Sequence, residues 1–149
     1  MIPEIGLPGY RVVVAEDNQQ IRELLKQQLV ELGHTVVGEA RDGAEVVTLA
    51  TREKPDVVVI DWGLPIQDGL AATSSITRVS PTAVVILSAY VAGGDPEADA
   101  REAGAHAFLA KPYLIEDLDE ALEQAVKRYK RTTASAAKLG RDGLDARNG

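Results

Sequence analysis

Five short runs of aliphatic and β-branched residues punctuate the chain, and between them apolar positions recur at helical spacing. The runs are Arg11–Ala15, Thr35–Ala40, Val57–Ile60, Ala83–Leu87 and Ala105–Ala110. They are near-continuously apolar rather than alternating, which marks strands buried on both faces. Glycine at position 38 weakens the second run. Asn18 is placed to cap a first helix carrying Ile21, Leu24, Leu25, Leu29 and Leu32 at helical intervals, closed by Gly33. A second helix is predicted from Asp42 to Lys54, with Ala44, Val46, Val47 and Ala50 inward and Pro55 ending it. Asp68 caps a third helix running to about Val79, with Leu70, Ile76 and Val79 inward. The fourth, Pro96 to Ala103, is alanine-rich, with proline at its favoured first position after Asp95. The fifth spans Ile115 to Arg131 and packs through Leu118, Ala121, Leu122, Ala125 and Tyr129.

Strand and helix alternate five times without a repeat or a second core. The expected fold class is therefore α/β: a single (βα)5 doubly wound, flavodoxin-like domain on a five-stranded parallel sheet of order 2-1-3-4-5. That domain covers 10–131. Residues 1–9 read as an irregular lead-in, 89–95 as a mobile loop with paired glycines, and 132–149 as a disordered tail or the start of a linker.

Composition narrows the function classes. A length of 149 residues suits one domain with a substantial core. A formal charge of −7 argues against a dedicated nucleic-acid binder. The absence of cysteine removes disulfides, thiolate metal sites and cysteine nucleophiles. The N-terminus lacks the features of a signal peptide, and no apolar run approaches membrane-spanning length, so a cytoplasmic protein is the default expectation.

The chemistry collects where the strands stop. In the predicted strand order, the C-terminal ends of strands one, three, four and five share one edge, where open α/β sheets bind ligands. They contribute Glu16 and Asp17, Asp61, Ser88, and Lys111. Taken singly, each has a plainer role: Glu16 and Asp17 as acids at a helix start, Asp61 as a cap, Ser88 as a turn hydroxyl, Lys111 as a solvated lysine. Together, three carboxylates repel one another and call for a cation. A small, hard ion with oxygen ligands and retained waters fits, which is Mg²⁺. Asp61 is then poised as a nucleophile towards a phosphoryl group, with Lys111 and the Ser88 hydroxyl taking its remaining oxygens.

The segments Val-Ala-Glu-Asp-Asn at 14–18, Asp-Trp-Gly-Leu-Pro-Ile-Gln-Asp-Gly at 61–69, Leu-Ser-Ala-Tyr at 87–90 and Ala-Lys-Pro-Tyr at 110–113 resemble the receiver domain of bacterial two-component response regulators. The resemblance implies Asp61 as phosphoacceptor, and Glu16, Asp17 and the Gly63 carbonyl as further Mg²⁺ ligands. It implies Ser88 and Lys111 as switch residues, Phe108 as the switch aromatic, and a cis Lys111-Pro112 bond. It also implies a sensor histidine kinase or phosphotransfer protein as donor and a downstream effector protein or domain as target, read out through the fourth helix, fifth strand and fifth helix. Homodimerisation through the fourth and fifth helices is a family option. The run 101–112 and the following Asp-Leu-Asp-Glu-Ala-Leu-Glu resemble receivers of ANTAR-type antitermination regulators, so nucleic acid enters only through a separate output domain. The basic cluster Lys127, Arg128, Lys130 and Arg131 reads as a solvated helix end or the start of an output linker.

Gly63 replaces a side chain that family members often carry two residues after the phosphoacceptor, which leaves water access to Asp61 open. Trp62 either shields the site or packs on the surface. Two other readings compete with a phosphoacceptor that is not an enzyme in its own right. A Mg²⁺-dependent aspartate-nucleophile phosphatase needs a second acid where Gly63 stands. A receiver-like interaction scaffold without phosphorylation has no need for Glu16, Asp17, Asp61, Ser88 and Lys111 together.

Overall fold

A computed structural model of the chain describes residues 9–89 and 94–148, the side chains of 135–148 excepted. The elements are β1 (Arg11–Ala15), α1 (Gln19–Glu31), β2 (Thr35–Ala40), α2 (Gly43–Glu53), β3 (Val57–Asp61), α3 (Gly69–Val79), β4 (Ala83–Ser88), α4 (Pro96–Ala103), β5 (Ala107–Ala110) and α5 (Ile115–Asn148). All strands run parallel in the order β2-β1-β3-β4-β5, as the alternation predicts.

The period-two alternation of each strand sorts its side chains into two cores. Val12, Val14, Val57, Val59, Val85 and Leu87 meet Leu25 and Leu29 of α1 and Leu118 and Leu122 of α5. Val13, Val58, Ile60, Val84 and Ile86 meet Val46 and Leu49 of α2, Ala72 and Ile76 of α3, and Ala100 of α4. Each fully buried aliphatic side chain contributes roughly 1.5–3 kcal/mol, so the central strands are the rigid part of the molecule. Only Ala100 of α4 is buried, which makes that helix the most lightly anchored. Asn18, Asp42, Asp68 and Asp95 each accept an N–H bond at a helix start, as capping residues do.

Several inward assignments change. Ile21, Leu24 and Val79 are exposed, as is Ala44, while Leu49 takes a core position on α2. Leu24 and Leu25 are adjacent and so lie about 100° apart on the helix. The sheet takes Leu25 and Leu29, and Arg22 completes that stripe in place of Ile21. β5 begins at Ala107 rather than Ala105, because Ala105 N–H is still bonded to Ala100 O at the end of α4.

The fifth helix does not stop at Arg131. α5 continues to Asn148, so the segment expected as an irregular tail is helical over its described residues. Ala134, Ala136 and Ala137 are the strongest helix formers. Gly140 and Gly143 each disfavour the helix by about 1 kcal/mol, and no proline interrupts it. The predicted lead-in, apart from Gly9, and residues 90–93 of the predicted mobile loop lie outside the described residues. Among the described residues no helix is long and apolar enough to cross a membrane.

The entry to β5 is closed by a reciprocal pair. His106 N–H donates to Val84 O at 2.9 Å, and Val84 N–H donates to His106 Nδ1 at 3.2 Å. Nδ1 must therefore be unprotonated. Burial lowers the imidazole pKa below its ordinary value, and the Arg128 charge acts in the same direction. A histidine held neutral in the fold takes up a proton more readily when unfolded. Its contribution to stability is complete above about pH 6.5 and is lost as pH falls below that. Thermal unfolding should therefore show a larger drop in Tm between pH 7.5 and 5.5 for the natural chain than for His106→Asn, whose amide oxygen can accept the Val84 N–H without titrating. Equal slopes would remove His106 from the account.

Candidate functional site

The strand ends deliver their polar groups to one cleft. Glu16 follows β1 directly and is held on three sides. Its N–H donates to Ala40 O at 3.0 Å, its C=O accepts from Arg22 Nη1 at 2.8 Å, and its Oε2 accepts from Asn18 N–H at 2.9 Å. The side chain is almost fully buried, whereas Asp17 beside it is exposed. Asp61 ends β3, pairs with Leu87 across the ladder, and receives the Gly63 N–H on Oδ2 at 3.1 Å. Lys111 follows β5, donates its N–H to Ser88 O at 2.8 Å, and precedes Pro112 through the expected cis bond.

An open cleft of about 460 Å³ is lined by Glu16, Asp17, Asp61, Gly63, Ser88 and Lys111, together with Asn18, Ile21, Trp62 and Ala89. Ser88 is buried at 2 % exposure. Trp62 lines the cleft and packs partly buried against the second core rather than on the surface. Phe108 is not among the lining residues; it pairs with Ile86 and packs half-buried on that same core.

Lys111 carries the electrostatics. Its Nζ lies 2.7 Å from Asp61 Oδ1 and 3.4 Å from Glu16 Oε1. Burial opposes the ammonium charge, but the bond to Asp61 and the charges of Asp61 and Glu16 outweigh it and hold its pKa above the usual lysine value. Glu16 shows the other side of the same crowding. Burial raises its pKa, the Asn18 N–H opposes that, and the neighbouring Asp61 charge and the contact with Asp17 raise it further. One oxygen from each of Glu16, Asp17 and Asp61 lies within 4.8 Å of the others. Three hard anionic oxygens so close, answered by one ammonium, fit a small divalent cation of the Mg²⁺ kind.

The loop after Asp61 is shaped by close backbone approach. A Cβ on Gly69 would stand 2.6 Å from Asp61 O, while Gly69 N–H donates to Trp62 O at 2.8 Å. Between them, Gln67 N–H closes on Pro65 O at 2.7 Å around Ile66, whose φ of 69° is strained for a β-branched residue. Gly63 differs: a Cβ there would meet Asp61 Oδ2 at an ordinary 3.5 Å, so space does not require glycine.

Two residues of this arrangement escape the apolar-pattern reading. Arg22 is buried at 6 % exposure, and Glu39 binds its Nε at 3.1 Å. The available signal was the spacing 22–25–29, which puts an arginine in line with Leu25 and Leu29.

A model of the response regulator receiver domain matches residues 12–123. The transcriptional regulatory protein PdtaR of Mycobacterium tuberculosis is 44% identical over 124 residues, 83% of this chain and 60% of the relative, so the chain spans under two thirds of that protein. The response regulator domain of Thermotoga maritima CheB superposes with a TM-score of 0.74 at 31% identity, over 80% of this chain and 97% of that one. The receiver domain of sensor histidine kinase PA1611 from Pseudomonas aeruginosa PAO1, described with a magnesium ion coordinated in its active site cleft, gives 0.71 at 29% identity, over 80% of this chain and 98% of that one.

The two glycines of the Asp61 loop should respond differently to a methyl group. Gly69→Ala should lose about 1–3 kcal/mol to overpacking, and Gly63→Ala should stay within about 0.5 kcal/mol of the natural chain. Urea unfolding of both variants checks this; equal losses would contradict the loop geometry.

Proposed function

The chain belongs to the response regulator receiver domain family, and we propose that it accepts a phosphoryl group on Asp61 and relays that event to a partner. The observation that carries the reading is the contact of Lys111 Nζ with Asp61 Oδ1 at 2.7 Å beside the Glu16–Asp17 pair. A carboxylate that must receive a dianionic group needs a fixed cation within reach of the oxygens it will carry.

In this reading the carboxylates of Glu16, Asp17 and Asp61, with the Gly63 carbonyl, would hold Mg²⁺. A bound ion would supply charge neutralisation as the phosphoryl group arrives. An Asp61 carboxylate oxygen attacks the donor phosphorus. The new O–P bond forms as the donor's P–N bond (phosphohistidine) or P–O bond (acyl phosphate) breaks, and the leaving group departs with the electron pair. Lys111 follows the charge from the carboxylate to a phosphoryl oxygen, and the Ser88 hydroxyl donates to another. Ser88 and Lys111 are joined through the backbone bond between β4 and the end of β5, so movement at one is felt at the other. Phe108, three residues before Lys111, then takes up a new rotamer, and the lightly anchored α4 with β5 and α5 forms the changed surface.

The donor would be a sensor histidine kinase or phosphotransfer protein, and the target an effector protein or domain. We place the receiver unit at 10–131, with the continuing helix of α5 as the connection to an output element. The likeness to PdtaR and to ANTAR-type receivers makes transcriptional regulation the favoured output.

Intact-mass spectrometry after incubation with acetyl phosphate and rapid acid quenching tests the reading. A single phosphoryl adduct is expected with Mg²⁺ present, reduced at least tenfold by a chelator and absent from Asp61→Asn. Equal labelling of Asp61→Asn would overturn the assignment.

A further inference from the structure

Arg22 is a charged side chain buried among the aliphatic residues of α1, and phosphoacceptor chemistry as described makes no use of it. Its guanidinium has two partners: Nη1 donates to the Glu16 carbonyl at 2.8 Å, and Nε donates to Glu39 Oε1 at 3.1 Å. Glu39 belongs to β2, and its other oxygen, Oε2, is held by Lys26 Nζ at 2.8 Å. The Lys26 bond, against some burial and with help from Arg22, keeps the Glu39 carboxyl below its usual range, so it stays an anion for Arg22. The Glu16 N–H is bonded to Ala40 O, one residue beyond Glu39 on β2. Both backbone groups of Glu16 are thus referred to the same strand, one directly and one through the guanidinium.

We infer that Arg22 is a positioning residue for the cation site. Clamped by Glu39, it fixes the peptide after β1 so that the Glu16 and Asp17 carboxylates are presented together at the cleft. The inference rests on the Mg²⁺ reading of that cleft. A buried arginine is a poor choice for packing alone, since an apolar residue at that place avoids desolvating a charge. A planar fork that binds a carbonyl and a carboxylate together has a geometric use that leucine lacks. Groups that orient a metal ligand without touching the metal commonly govern affinity by 10- to 100-fold.

Electrostatics alone predicts a different pattern, which makes the two accounts separable. If Arg22 mattered only as a positive charge near three carboxylates, its removal would tighten Mg²⁺ binding and removal of the Glu39 charge would weaken it. If it positions Glu16, both changes weaken binding. Lysine at 22 keeps the charge but offers no fork, so Arg22→Lys weakens binding as well.

The test is a Mg²⁺ titration followed by the fluorescence of Trp62, the chain's only tryptophan, which lines the cleft. The natural chain is compared with Arg22→Gln, Arg22→Lys, Glu39→Gln and a packing control, Leu25→Val, one turn along the same helix. Circular dichroism establishes that each variant is folded at the titration temperature. The expected result is a Kd for Mg²⁺ raised about tenfold in Arg22→Gln and Arg22→Lys, raised less in Glu39→Gln, and unchanged in Leu25→Val. Unchanged or tighter binding in the Arg22 variants overturns the inference, as does an equal loss in Leu25→Val. A natural chain that gives no saturable Mg²⁺ response, by fluorescence or by calorimetry, overturns the metal reading and this inference with it.

Discussion

Everything at the functional end of this molecule depends on one imbalance: three carboxylates converge where β1 and β3 end, and one ammonium faces them. Lys111 touches two of the three, Glu16 and Asp61, whose charges hold its pKa up, while the pKa of Glu16 is raised first by its burial and further by the Asp61 charge. The sheet beneath the cluster fixes where these groups stand. The valines of β1 and β3 are fully buried, and their parallel ladders place the strand ends side by side. With the strand ends fixed in this way, a cation would offset the repulsion among the carboxylates, whereas a phosphoryl group on Asp61 would add negative charge facing Lys111. In the proposed switch, a local change of charge would act on this closely packed frame.

The elements around the cleft are unequally anchored. β3 and β4 are buried along nearly their whole length, whereas α4 holds to the domain through Ala100 and a few contacts, and β5 is only partly covered. Lys111 N–H is bonded to the Ser88 carbonyl, and Phe108 lies on β5 against the second core. In the proposed switch the well-anchored side of the sheet would sense and the lightly anchored side would yield. Arg22 and Glu39 belong to the well-anchored side; they tie the Glu16 end of β1 to β2.

Much of this was legible in the sequence, for physical reasons. Short β-branched runs such as Val57–Ile60 favour a strand covered on both faces, and the capping residues Asn18, Asp42, Asp68 and Asp95 mark helix starts by the bonds they make. Strand order then brings Glu16, Asp17, Asp61, Ser88 and Lys111 to one edge, and they do line one cleft. What escaped was whatever depends on the third dimension. Helical spacing alone does not say which of Leu24 and Leu25 the sheet takes, so Ile21 and Leu24 were placed inward although they face outward. Arg22 was passed over because a charge is assumed to be solvated unless its partners are seen. The small polar residues and two glycines beyond Arg131 read as weak structure, while alanine at 134, 136 and 137 favours continuing the helix already begun.

The most direct test of the switch is an amide-resolved ¹H–¹⁵N NMR spectrum recorded with Mg²⁺ alone and then with Mg²⁺ and beryllofluoride, which mimics a phosphoryl group on aspartate. Mg²⁺ alone should shift amides around Glu16, Asp17, Asp61 and Gly63. Adding beryllofluoride should then move Ser88, Phe108 and Lys111 and carry the change into α4. A spectrum in which the Asp61 neighbourhood shifts while Ser88 and Lys111 stay in place would contradict the coupling, and one unchanged by either addition would contradict the site.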